Sequence, residues 1–449
     1  MKNLFRQGFF LFGLFCLLTA SASPAQASDL LTLFRQAADN DPIFQAARYQ
    51  QAATAEAVGQ ARADLLPKAS ATYQYMYTSQ NIKMSDNDAF AEGKTDYSTE
   101  EYTVSLTQPI FRYPSILRLS QARIQVKRGD YEFALARQEL MVRVAELYFA
   151  LLAERDNLNF ARAEWQAVQA HHELAEGRFE MGLARITDLH DAKARLAAVA
   201  AKVIEAENRL EDARQALREV TAELPNEPAP LAAEFPLLPP EPAEIEVWVA
   251  AALQQNLNLE IQRHTLEIAR KEVARRRAAH YPTVDLTGRF NSKQADGTLF
   301  GGGSEIDTTD LMASINLPLL EGGVVLSRTR EAVQLQNRAQ EELKQVTRRV
   351  VRDTRASFLG VISAVSKAEA LEQSVLSQQY AVESKQEGFR SGLYTSLAVL
   401  DAERDLYLAR QDYAQARYDF ILNSLRLKRA AGTLTGNDLA QVNQWLQTQ

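Results

Sequence analysis

Thiols are almost absent from this chain: of its 449 residues one is cysteine, Cys16, and it sits in the N-terminal apolar run. Without further thiols there is no disulfide framework, no cysteine-ligated zinc and no thiol nucleophile. Histidine is nearly as scarce, with five. His190, His264 and His280 join no recognisable triad, and no glycine-rich phosphate loop is present. Positive charge is also short, 50 Lys and Arg against 57 Asp and Glu for a net −7, which argues against nucleic acid as a partner. Proline is missing from Ser115 to Leu224 and from Leu319 to Gln449, stretches of 110 and 131 residues. Helix interiors exclude proline, so two very long helical blocks are expected. With 46% hydrophobic residues and few glycines, the chain is not a disordered one.

What is present begins with an export signal. Lys2 and Arg6 precede an apolar run from Gly8 to Leu18, and Ala25-Gln26-Ala27 offers small residues for cleavage. Eleven apolar residues are too few to span a bilayer. Residues 1–27 are therefore expected to be removed, and Cys16 with them. Phe15 is too large for a lipoprotein cleavage site before Cys16.

The remainder reads as a duplication. Val58 and Pro67 match Val273 and Pro282 at an offset of 215, and Ser105 and Pro109 match Ser314 and Pro318 at 209. At 210, Phe179, Gly182, Leu183, Asp191, Ala192 and Leu196 match Phe389, Gly392, Leu393, Asp401, Ala402 and Leu406. Each half is expected to run short helix, strand, loop, strand, long helix, turn, second helix. The first half covers 28–224 and the second 244–432. A linker at 225–243, holding seven prolines, joins them as a semi-rigid strap, and a tail at 433–449 adds a short helix near Asn437 to Leu446.

Alternation of apolar and polar residues marks four strands of about ten residues each. Their apolar sets are Tyr73, Tyr75 and Tyr77; Tyr102, Val104 and Leu106; Val284, Leu286, Gly288 and Phe290; and Leu311, Ala313, Ile315 and Leu317. The polar segments from Asn81 to Glu100 and from Gly297 to Ser304 read as loops in water. Such strands suit either soluble hairpins or a membrane barrel. Four cannot close a barrel, because the smallest spanning barrels have about eight strands and lipid tolerates no open edge. If they span a membrane, several chains must share one barrel.

The proline-free blocks, 115–181 and 324–387, would each extend roughly 100 Å as helix. Val144, Leu151, Leu158 and Trp165 recur every seven residues, joined by Leu140 and Leu147; Leu400, Tyr407, Ala414 and Ile421 do the same later. This is coiled-coil spacing. A second apolar set, Val142, Ala145, Phe149 and Leu152, implies neighbours on two sides, and the small Ala197, Ala198, Ala200 and Ala201 would permit close approach.

Taken in order, the duplicated plan, the prolines at Pro67, Pro109, Pro282 and Pro318 bracketing the strands, with Pro109 and Pro318 at the passage from strand to helix, the turns Phe179-Glu180-Met181-Gly182-Leu183 and Phe389-Arg390-Ser391-Gly392-Leu393, and Val399-Leu400-Asp401-Ala402 resemble the TolC family of outer-membrane channel proteins. Without a lipid-bearing cysteine, the chain is more similar to the type I secretion branch than to the lipid-anchored efflux branch. The resemblance implies an α+β membrane protein. Three copies would share a twelve-stranded barrel in outer-membrane lipid, continued by a coiled-coil helical tunnel across the periplasm. It implies passive export of proteins or small toxic compounds, driven by an inner-membrane ABC or RND-type transporter through a periplasmic adaptor. The adaptor would dock on the tips at Phe179, Gly182, Leu183, Phe389, Gly392 and Leu393.

The resemblance also implies a constriction at those tips. Asp401 falls in the motif whose acid lines the closed end, and Asp188 and Asp191 follow the first turn. A lone aspartate early in a helix is ordinarily a solvated cap, but threefold symmetry would make each a ring. Ala398 and Tyr394 stand where the family's best-studied member has an acid and an arginine, so a hydrogen bond from Tyr394, or Arg185 from the neighbouring turn, would have to replace that member's latch to Asp188. His171-His172-Glu173 is no metal motif, because adjacent helical histidines face different ways. No cofactor is expected. A periplasmic coiled-coil adaptor is the alternative reading, yet it gives no reason for tyrosines at 73, 75 and 77; a diffusion porin would not need such helices; an enzyme lacks a site.

Overall fold

The computed structural model describes residues 29–84, 92–224, 227–297 and 302–447. The export signal with Cys16 lies outside them, as do the centres of both inter-strand loops. Two equivalent halves follow one another. The first comprises α1 (Leu30–Asn40), α2 (Pro42–Ala63), β1 (Lys68–Ile82), β2 (Gly93–Phe111), α3 (Tyr113–Glu180) and α4 (Ile186–Thr221). The second comprises α5 (Ile245–Gln255), α6 (Leu257–Arg277), β3 (Thr283–Ala295), β4 (Ser304–Asn316), α7 (Val324–Arg390) and α8 (Ser396–Ala431), and α9 (Gly436–Gln444) closes the chain.

Each half opens with two helices where the sequence suggested one. Asp41 accepts from the Phe44 N–H at 3.0 Å and caps α2, while Asn256 accepts from the Leu259 N–H at 3.2 Å and caps α6. A side chain that satisfies the free N–H groups of a new first turn ends the old helix and begins another.

The strands form one antiparallel sheet in the order β1-β2-β3-β4. Register decides its character. Ala71 lies opposite Val104, Val104 opposite Phe290, and Leu106 opposite Gly288, which in turn faces Leu311. Directly opposed residues share a face, so all four apolar sets gather on one side. That face is bare: Tyr75, Leu106 and Leu311 are 57%, 52% and 79% exposed. The other face is polar and bonded to itself, with Ser70 and Ser105 at 2.9 Å, Thr107 and Thr287 at 3.2 Å, and Asn291 donating to Glu101 at 2.6 Å.

The strands are longer than the expected ten residues, at 15, 19, 13 and 13. Polar stretches read as loop, Asn81–Ile82 and Gly93–Glu100, continue the ladder of β1 and β2. Backbone pairing therefore outlasts the apolar band. Pro109 is also repositioned. It lies inside β2 at a register shift between Pro109 and Phe111, as a residue without an N–H must. The passage to helix comes at Pro114, in the first turn of α3. There Arg112 forks onto Asp285 with bonds of 2.9 and 2.7 Å, tying the end of β2 to β3.

Helix α3 runs for 68 residues and α7 for 67. Near the sheet α3 packs on α2 and α6, and α6 on α7; farther away α3 pairs with α4, and α7 with α8. Both apolar sets of α3 are buried, Val144 and Leu151 on one side, Ala145 and Leu152 on the other. Ala197, Ala198 and Ala201 of α4 remain exposed. The main core lies midway along the helices, where α1, α9 and the proline-rich segment wrap them. Tyr148 donates to the Ala229 carbonyl at 2.7 Å and Arg155 to the Pro228 carbonyl at 2.9 Å. Leu231 pairs with Leu446, so the strap is held by helix and tail alike.

Candidate functional site

The candidate site lies where α3 turns into α4 and α7 into α8. Each long helix ends at a glycine of positive φ, +72° at Gly182 and +80° at Gly392, a conformation costly to any residue with a Cβ. The two reversals are bonded alike. Gly182 N–H donates to Phe179 at 2.9 Å and Leu183 N–H to Arg178 at 2.8 Å; Gly392 N–H donates to Phe389 at 3.0 Å and Leu393 N–H to Gly388 at 2.7 Å. The sequence repeat is thus a repeat of backbone hydrogen bonds. Leu183 and Leu393 project into solvent at 74% and 75% exposure. Phe179 is also exposed, while Phe389 is half-buried with the Arg178 guanidinium 6.0 Å from its ring centre.

Between the two turns is a cavity of about 750 Å³, lined by Asp188 and Asp191 of α4, Tyr394 of the second turn, and Arg178, Arg195 and His171. Three residues expected at the constriction therefore meet there, and two expected at the tips, Phe389 and Gly392, line it too. Asp188 sits in the first turn of α4, where the helix dipole favours an acid, and accepts from the Arg185 backbone N–H at 3.3 Å. Arg185 occupies the cap position and does not line the cavity. The Tyr394 ring packs on Gly388. Among the described residues of one chain, neither Tyr394 nor the Arg185 side chain bonds to Asp188.

His171 also lines this cavity, a role that its place beside His172 did not suggest. Its Nδ1 is buried and has no hydrogen-bond partner among the described residues. Burial, followed by the nearby Arg195, His172 and Arg178, pushes its pKa below the usual histidine value, which favours the neutral ring. Among the described residues no cluster of three or more metal-ligating side chains occurs.

Asp401 lies apart, on a smaller adjoining cavity of about 160 Å³. It is not a free acid. Arg195 of α4 donates to its Oδ1 at 3.2 Å, and Arg404, one turn on, approaches the same oxygen to 3.8 Å. Arg195 lines both cavities. Sequence reasoning passed over it because its partner is 206 residues away. The available signal was its place one turn after Asp191, the repeat counterpart of Asp401. Beside this pair Val168, Val199 and Leu400 form a small apolar cluster that seats α8 on α3 and α4.

A sheet greasy on one face and polar on the other, continued by coiled coils about 100 Å long and closed by paired helical turns, defines an outer-membrane channel protein. The outer membrane efflux protein family profile matches residues 33–223 and 248–433. Outer membrane protein TolC of Vibrio cholerae is 32% identical over 424 residues, 94% of each chain. Alkaline protease secretion protein AprF of Pseudomonas aeruginosa is 31% identical over 437 residues, 96% of this chain and 90% of its own. The crystal structure of the Campylobacter jejuni CmeC outer membrane channel superposes with a TM-score of 0.78 at 16% identity, covering 100% of this chain and 98% of that one. The chain belongs to the outer membrane efflux protein family. It resides in the bacterial outer membrane, extends into the periplasm and serves as an exit duct; the adaptor reading is set aside.

Proposed function

We propose that three copies of this chain form one duct, with a twelve-stranded barrel in the membrane and twelve helices beneath it. The observation that calls for several chains is the sheet itself, four strands with a bare apolar face and, among the described residues, unpaired edges at β1 and β4; the number three is what the family resemblance implies. Lipid leaves no unpaired backbone group unsatisfied, so each edge needs a neighbour's. The polar face then lines the lumen.

Export is passive in this protein. A periplasmic adaptor docks on the exposed tips around Leu183 and Leu393, and an ABC or RND-type inner-membrane transporter supplies energy and cargo. The relatives named for secretion and the efflux family profile support both protein and small-molecule cargo. Asp401, Asp188 and Asp191 form the narrow end, with Tyr394 and Arg185 at the turns. Residues 1–27 direct export, and 28–224 and 244–432 act as paired halves joined at 225–243.

Detergent-extracted protein should run at three times the chain mass, and a cysteine pair placed across β1 and β4 should cross-link chains into trimers. A monomer in mild detergent, or release from membranes by salt, would overturn the reading.

A further inference from the structure

We infer that Arg195 sets the ion selectivity of the duct by cancelling the charge of Asp401. The inference rests on the proposal that Asp401 faces the duct's narrow end. It departs from a simple acidic ring in assigning the level of Asp401 no strong potential of either sign.

The geometry is local and complete. Arg195 reaches across from α4 to Asp401 of α8 at 3.2 Å, and both side chains keep contact with water, at 43% and 38% exposure. Arg404, the second cation near Asp401, is bonded more closely to Asp405 at 2.9 Å, which leaves Arg195 as the principal counter-charge. The charged groups lining this cavity balance: Glu164, Asp401 and Glu403 against Arg195, Lys202 and Arg404. Lys202 is already committed to Glu164 at 3.2 Å. Removing Arg195 therefore leaves Asp401 with only the 3.8 Å approach of Arg404, and removing Asp401 leaves Arg195 without the carboxylate it bonds. Threefold repetition turns one uncompensated charge into a ring of three, and a ring at a narrowing sets the local ion concentration.

Two opposite single-site effects follow. Arg195→Gln strips the cation and bares three carboxylates, so the duct becomes several-fold more cation-selective. Asp401→Asn bares three guanidinium groups, so selectivity shifts toward anions and does not merely fall to neutral. The double variant returns to the wild-type ratio, and the exchange Arg195→Asp with Asp401→Arg does the same. Both shifts are larger at 0.1 M than at 1 M salt, because the screening length falls from about 10 Å to about 3 Å.

The test is reversal-potential measurement in planar bilayers under a KCl gradient for purified wild-type, single, double and exchanged proteins, each first checked for its oligomeric state. Opposite shifts with recovery in the double variant establish the inference. If Asp401→Asn changes selectivity and Arg195→Gln does not, Arg195 has no such role and the acid ring stands alone. If neither changes it, Asp401 does not line the conducting path. That result overturns the inference and this part of the proposed constriction, while the trimer measurement still decides the duct.

Discussion

Gly388 lies directly beneath the ring of Tyr394: a Cβ at Gly388 would overlap the Tyr394 Cδ2 and Cε2 atoms. The missing side chain is what lets the aromatic ring fold back over the end of α7, where the Tyr394 N–H also donates to the Gly388 carbonyl at 3.2 Å. Gly388→Ala should expel the ring and loosen the second turn. Overpacking of this kind costs about 1–3 kcal/mol. The expected outcome is an intact trimer with larger or noisier single-channel conductance; unchanged recordings would show that the ring's seat does not matter to the narrow end.

The tips offer a cleaner separation of folding from function. Leu183 and Leu393 are three-quarters exposed and support no core. Replacing both with aspartate should leave heat stability within about 0.5 kcal/mol per site, the usual range for surface changes. If the proposed adaptor docks on these tips, export should fall nonetheless, because the greasy patch offered to it is gone. Co-purification with the cognate adaptor, set against a thermal melt, measures the two effects separately.

Neighbouring residues on β2 test which face meets lipid. Val104 belongs to the apolar face and Ser105 to the polar one. Arginine at 104 should cost roughly 2–4 kcal/mol if it sits near the bilayer midplane, and assembly should fail. Arginine at 105 should be tolerated, with a change only in conductance. Heat-modifiable mobility of outer-membrane fractions reads the first, and bilayer recording the second.

Acid sensitivity should reside partly at Glu272. Burial alone would raise this carboxyl, but hydrogen bonds from Arg275, Gln121 and Arg276 and the Arg275 charge outweigh it and hold the pKa at about 2, against 4.5 for a free glutamate. A depressed folded value means that the carboxylate's contribution is complete above 4.5 and is lost as the pH falls from there toward 2. Glu272→Gln should therefore lower stability at pH 7 by about 1–3 kcal/mol, since it removes the charge and replaces one of the two acceptor oxygens facing Arg275 with a donor amide. It should also flatten the loss of stability between pH 4.5 and 2, followed by circular dichroism in detergent.

Much of the architecture could be read from local patterns. The absence of proline located α3 and α7 within a few residues, and alternation put Tyr73, Val104, Phe290 and Leu311 on one face because side-chain direction in a strand is fixed by count. What escaped was set by chemistry that local pattern does not encode. Asp41 and Asn256 looked like ordinary polar residues until their side chains were seen capping new helices. Pro109 looked like a boundary, yet a bulge accommodates it inside β2. The site was legible as a pair of matching turns. The partner of Asp401 was not, because an ion pair between α4 and α8 depends on how two coiled coils lean together.

The bare edges of β1 and β4 have a further consequence for how such a duct comes into being. A lone chain arriving at the membrane cannot park its sheet in lipid and wait, because both borders would face hydrocarbon with their amides unpaired. Insertion and association are then one event, and its rate should rise more steeply than linearly with the supply of unassembled chains. Scarcity of the protein would leave it stranded in the periplasm, where its mid-helix core is already buried and its greasy strands are not.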